Sequence, residues 1–212
     1  MLLIRWLEST IAWARTINLH AAKPSSVFAD AADYNVDDVC TCLQYANLQD
    51  EEELVLLLFA MKRELEDVCI TAALDVICSE VDARPDSLPT RTFTPQLMAM
   101  DNYTARVAWL ESNNTVKDAK NHIVGAMEIT DPRNDKKSID LLDELFKNVF
   151  NPLLNQDKIW KRVVNRDYQQ MDGVSCGIWV LAFIESYLYQ SYDAHGDVDY
   201  LMFRYLVKVL LA

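Results

Sequence analysis

The sequence predicts an α+β fold, and three observations carry that expectation. Hydrophobic residues make up 51% of the 212, enough apolar side chain for a substantial core. The middle of the chain changes from helical spacing to short β-branched runs and then back, so helices, a small strand group and further helices follow one another. The stretch "CGIWVLAFIESYLYQ", beginning at Cys176, is apolar nearly all round, the pattern of a helix enclosed by other elements.

Residues 1–50 read as an N-terminal extension, a helical "LLIRWLESTIAWARTI" followed by a polar, alanine-rich link through Pro24, Ser25 and Ser26. The folded domain is expected over 51–212. It opens with "EEELVLLLFAMKRELEDV", acidic in its first turn and basic toward its end, the charge order a helix dipole favours. "DVCITAALDVICSEV" continues as a second helix. A loop marked by Pro85, Pro89 and Pro95 leads to short helices at "PQLMAM" and "YTARVAWLES". "HIVGAMEIT", residues 122–130, reads as a strand ending in a "DPRN" turn. "SIDLLDELFKNVFNPLL", residues 138–154, starts as a strand and becomes helical near Asp143, and "WKRVVN", residues 160–165, is a further strand. A loop over 166–175 leads to the apolar helix from Cys176, and "DVDYLMFRYLVKVLLA" is the closing helix.

The formal net charge of −12 argues against nucleic acid, whose affinity comes from clustered Lys and Arg. It favours partners with a basic face. Arg5 and Glu8 interrupt what a secretory signal would keep uncharged, and "ELVLLLFAM" is too short to span a bilayer, so no membrane attachment is expected. Five cysteines form no regular framework and read as reduced thiols of a nuclear or cytoplasmic protein. Cys40 and Cys42 lack a second pair to complete a zinc site, so neither a metal nor a cofactor is expected; Cys69 and Cys78 read as core.

Cys176 stands where the buried helix should begin, and a helix N-terminus favours the thiolate. Its exposed N–H groups, with an amide from Gln169 or Gln170, could hold an oxyanion. Gly173 would let the loop turn, and Gly177 would let a substrate and neighbouring helices approach the sulfur closely. Of three histidines, His20 and His195 lie in polar surroundings, whereas His122 begins the best strand. Centring an antiparallel hairpin on "DPRN" sets Asp143 opposite His122, with Cβ atoms about 4.5–5.5 Å apart; a slipped register would substitute Asp140 or Glu144.

With His122, Asp143, Gln170 and Cys176 in that order, and above all through "QMDGVSCGIWV", the sequence resembles the ubiquitin-like-protein-specific, SUMO-deconjugating cysteine proteases, which share a fold with the adenovirus proteinase. "HIVGAMEI", "SIDLLDEL" and "LEDVCITAALDVI" are similar to further family segments. The resemblance implies a papain-like, adenain-like fold, a small mixed sheet flanked by helices with the catalytic Cys at the start of a buried helix. It implies a monomeric thiol peptidase or isopeptidase acting on a ubiquitin-like modifier or a modified protein. Cys176 would be nucleophile, His122 base, Asp143 its orienting acid, and Gln170, six residues before Cys176, the oxyanion donor. Ile123 and Glu64, where the family has two tryptophans, would line the substrate side with Gly173, Gly177 and Trp179. Those two replacements remove the family's usual apolar clamp on a diglycine tail. An inactive binding module of the same fold and an acetyltransferase of the YopJ type are the alternatives.

Overall fold

The computed structural model describes residues 2–45, 59, 65–85, 90–93, 97, 100, 102–112, 122–125, 140, 143–154, 175–191 and 197–212. Contacts group the chain into two compact units, Met1–Ile77 with Gln170–Ala212, and Cys78–Gln169.

In the first unit, helix α1 spans Leu2–Ala14. Thr10, Trp13 and Ala14 are buried on one face, while Glu8, Ser9 and Ala12 are exposed. Thr10 can be buried because its hydroxyl donates to the Trp6 carbonyl at 2.9 Å. The polar link then condenses into a 3-10 turn, Ala29–Asp33, with Phe28 just before it and Ala31 within it fully enclosed. Helix α2, Val36–Tyr45, starts where the Asn35 side chain accepts from the Asp37 N–H at 3.0 Å; Asp37 and Asp38 then place negative charge at its positive end. Helix α3, Asp67–Asp82, runs from this unit into the second, which begins at Cys78; its first-unit part buries Cys69, Ile70, Ala73, Leu74 and Ile77 at the three- and four-residue spacing of one face.

Two later helices complete this unit. The apolar helix is numbered α6, Cys176–Leu188, and the closing helix α7, Val198–Leu211. Gln190, at φ 54°, ends α6: the Ser191 N–H reaches the Ser186 carbonyl at 2.8 Å and the Gln190 N–H reaches Tyr187 at 3.1 Å, a left-handed stop that satisfies two terminal carbonyls. Asp197 caps α7 by accepting from the Tyr200 N–H at 3.0 Å. Every residue of α7 from Tyr200 to Lys208 is buried.

Gly177 on α6 has a packing role. A Cβ there would lie 3.0 Å from the Leu65 Cβ and 3.1 Å from the Ile70 Cδ1. The Leu65 Cβ is fixed to the backbone and cannot swing aside. Gly177→Ala is therefore expected to destabilise by about 1–2 kcal/mol, the overpacking penalty exceeding the helix-propensity gain of about 1 kcal/mol. Urea unfolding of the variant checks the sign.

In the second unit, strand β1, Thr90–Phe93, pairs in parallel with β2, His122–Gly125, in the register Thr90 to His122 through Phe93 to Gly125. A parallel pair needs a crossover, and helix α4, Tyr103–Ser112, lies within it. Asp82 fixes the start of β1, accepting from the Thr90 N–H at 2.9 Å and from Arg91 at 3.1 Å. A wide helical turn, Phe146–Phe150, precedes α5, Asn151–Leu154. Pro152 has no N–H for the helix ladder, and the wider turn before it is one way the backbone accommodates that loss. Leu97, Leu110, Leu145, Val149 and Phe150 form this unit's buried core.

This architecture overturns the expected mixed sheet and papain-like, adenain-like α+β fold, and with it the resemblance to the SUMO-deconjugating proteases. Among the described residues the β-structure is one pair of four-residue strands, and the other long elements are helices. The partner of the His122 strand lies upstream, in a stretch whose three prolines read as loop. Asp143 stands in a helical segment, not on a strand facing His122. The early helix from Glu51, apart from Phe59 and its last residues, the turn at 131–134 and the strand at 160–165 lie outside the described residues.

Candidate functional site

The expected catalytic residues do not form a site among the described residues. Cys176 begins α6 and is half-buried, behind a buried Ser175 at the cap position. Gly177 is buried against Leu65 and Ile70, and Trp179 is half-buried on the same helix. These belong to the first unit, whereas His122, Ile123 and Asp143 belong to the second. His122 and Ile123 stand opposite Thr90 and Arg91, and Asp143 is exposed. Glu64, Gln169, Gln170 and Gly173 lie outside the described residues. No three His, Cys, Asp or Glu side chains among those described converge closely enough to hold a metal, and among the described residues no Cys-His-Asp cluster is found. The peptidase and isopeptidase reading, with its modifier-deconjugating activity, is therefore corrected. Its two alternatives fall with the fold they share.

What the first unit does bring together is a buried ionic network that sequence reasoning missed. Arg204 on α7 and Glu185 on α6 are each 1% exposed. The Arg204 guanidinium grips Glu185 with two hydrogen bonds, Nη1 to Oε2 at 2.6 Å and Nη2 to Oε1 at 2.8 Å. Its Nε donates to Asp30 Oδ1, and its Nη2 also reaches Asp30 Oδ2 at 2.8 Å and the Val27 carbonyl at 3.0 Å. Lys208, one turn further along α7, lies 3.2 Å from Asp30 Oδ2 and 3.7 Å from Glu185 Oε1. The Tyr205 hydroxyl donates to Glu185 Oε2 at 2.9 Å, and the Tyr200 hydroxyl donates to the Phe28 carbonyl. The guanidinium carbon stands 5.3 Å from the Phe28 ring centre and 5.4 Å from that of Tyr205.

Electrostatics follow from this geometry. Burial raises the Asp30 pKa, but hydrogen bonds and attraction from Arg204, joined by Lys208, outweigh it and hold the carboxyl below its ordinary 3.8. Burial alone would lower the Arg204 pKa; the Glu185 carboxylate reverses that and holds it well above the ordinary arginine range. Burial pushes Tyr200 to about 12, and burial together with the Glu185 charge pushes Tyr205 well above 10. Two cations face two anions, so the network is neutral. The arrangement is a clamp holding Val27–Asp30 to α6 and α7.

Because Asp30 is more acidic folded than unfolded, its contribution is fully present above the unfolded pKa and is lost as pH falls through the folded value. The urea midpoint is expected to hold steady down to about pH 5 and to fall below about pH 4, less steeply in Asp30→Asn. A pH series of unfolding curves for both proteins checks this.

One sequence signal could have found the clamp. Glu185 is the lone charge in "VLAFIESYLY" and Arg204 the lone charge in "YLMFRYLV". A single acid and a single base on two otherwise apolar helices must find partners when those helices are buried.

Comparison with known proteins gives no family: no family model matches the chain, and neither a curated protein nor a solved structure does. Among the described residues no helix is long and apolar enough to cross a membrane.

Proposed function

We propose that this chain is a non-catalytic protein-interaction module whose acidic exterior meets a basic face on another protein. The observation that supports it is the charge distribution. The four charges of the clamp, three buried and Asp30 half-buried, cancel, so the formal net charge of −12 resides wholly outside it. Exposed acids stand at helix starts, Asp37 and Asp38 on α2 and Asp67 on α3. Such a field steers a basic partner to the surface and speeds association at low salt. An intracellular, reducing location in nucleus or cytoplasm is part of the reading, in keeping with five free thiols.

The test offers immobilised chain a panel of folded basic and neutral domains, together with SUMO and ubiquitin. Saturable one-to-one binding to a basic domain is expected, with an association rate that falls as salt rises. Absence of saturable binding to every basic domain would sink the reading. So would cleavage of a modifier-linked substrate that disappears in Cys176→Ala.

A further inference from the structure

The segment Val27–Asp30 is held as a bound peptide is held. Its backbone is gripped through two carbonyls, Val27 accepting from Arg204 and Phe28 from Tyr200. Its aromatic anchor, Phe28, is fully buried against the guanidinium. Its acid, two residues on, meets Arg204 and Lys208. Backbone, aromatic pocket and charge-paired acid are the three parts by which a groove recognises a short segment. Without Asp30 the socket would set Arg204 and Lys208 against Glu185 alone, a buried excess of one positive charge that calls for an anion.

We infer that the face of α6 and α7 carrying Arg204, Lys208 and Tyr200 is a peptide socket for a partner segment of the pattern aromatic, any residue, acid. Phe28-Ala29-Asp30 fills it in cis, so the chain at rest is self-occupied. The partner differs in charge from the basic one proposed above, and the two surfaces answer salt oppositely. An acidic segment approaching a chain of net charge −12 is repelled at long range, so screening speeds its arrival.

The test uses the full chain carrying Phe28→Ala and Asp30→Asn, titrated against a labelled peptide of residues 24–33 and followed by fluorescence anisotropy. Saturable binding is expected, at least about tenfold tighter than for a peptide with the same two substitutions and than for the unsubstituted chain. Association should quicken with salt, and adding Arg204→Met should abolish binding. Equal binding of both peptides, or binding of neither, overturns the inference. Should circular dichroism show that the substituted chain has lost its fold, recovery of helix signal on adding the unsubstituted peptide supports the socket, and no recovery overturns it. An unsubstituted chain that dimerises on concentration, and loses the dimer in Asp30→Asn, would give the socket to a second copy and overturn its assignment to another protein.

Discussion

Arg204→Met is expected to lower the unfolding free energy by about 3–5 kcal/mol, a large part of the total for a domain of this size. Methionine fills much of the space of the arginine stem, so the loss measures charge, not volume. It strands Glu185, 1% exposed, with the Tyr205 hydroxyl and an ammonium 3.7 Å away. It also takes from Asp30 and the Val27 carbonyl their guanidinium donors. Urea unfolding by far-ultraviolet circular dichroism reads the change. A loss below about 1 kcal/mol would mean that Glu185 finds water or another donor, against the burial described.

Phe203→Ala is expected to cost about 3–5 kcal/mol, the range for emptying the site of a fully enclosed aromatic. Phe203 is 0% exposed and meets Trp13 edge to face at 6.0 Å, so the cavity would open between α7 and α1. Amide exchange should show protection falling in Leu2–Ala14 as well as around the substitution. Phe203→Leu keeps most of the volume and should cost far less. Protection in Leu2–Ala14 that ignores Phe203→Ala would separate α1 from the closing helix.

The helices were the legible part of this sequence. α1, α3 and α7 carry apolar residues at helical spacing, and α6 is a long run apolar nearly all round, so burial of each leaves its mark in the sequence. The parallel strand pair was not legible: "TRTF" is four residues long, sits among prolines, and finds its partner across a helix, so nothing local specifies the pairing. The hairpin drawn around 131–134 assumed that the partner of His122 comes next in the chain, as it does in most antiparallel ribbons. The Asp30 side of the clamp was illegible for a related reason. Asp30 and Arg204 stand far apart in sequence, and Asp30 lies in an alanine-rich link that has neither helical nor strand periodicity.

Cys176 shows how a local motif can mislead. Its glycine-flanked setting at a helix start carries the chemistry of a reactive thiol, and the structure explains Gly177 without it, through the close approach of Leu65 and Ile70. Cys69 illustrates the ordinary fate of such residues: burial and the neighbouring Glu66 push its thiol up to about 12, leaving a small apolar side chain.

The account rests on Arg204 and Glu185 acting as one buried unit that joins the segment at Val27–Asp30 to the last two helices. A double-mutant cycle tests it most directly, with Arg204→Met, Glu185→Gln and the pair compared by urea unfolding. Glutamine keeps an acceptor for Tyr205, and the pair leaves Lys208 neutralised by Asp30. Each single change is predicted to cost about 3 kcal/mol or more, and the pair at least about 2 kcal/mol less than the sum of the two. Losses that add within about 0.5 kcal/mol would contradict the coupling.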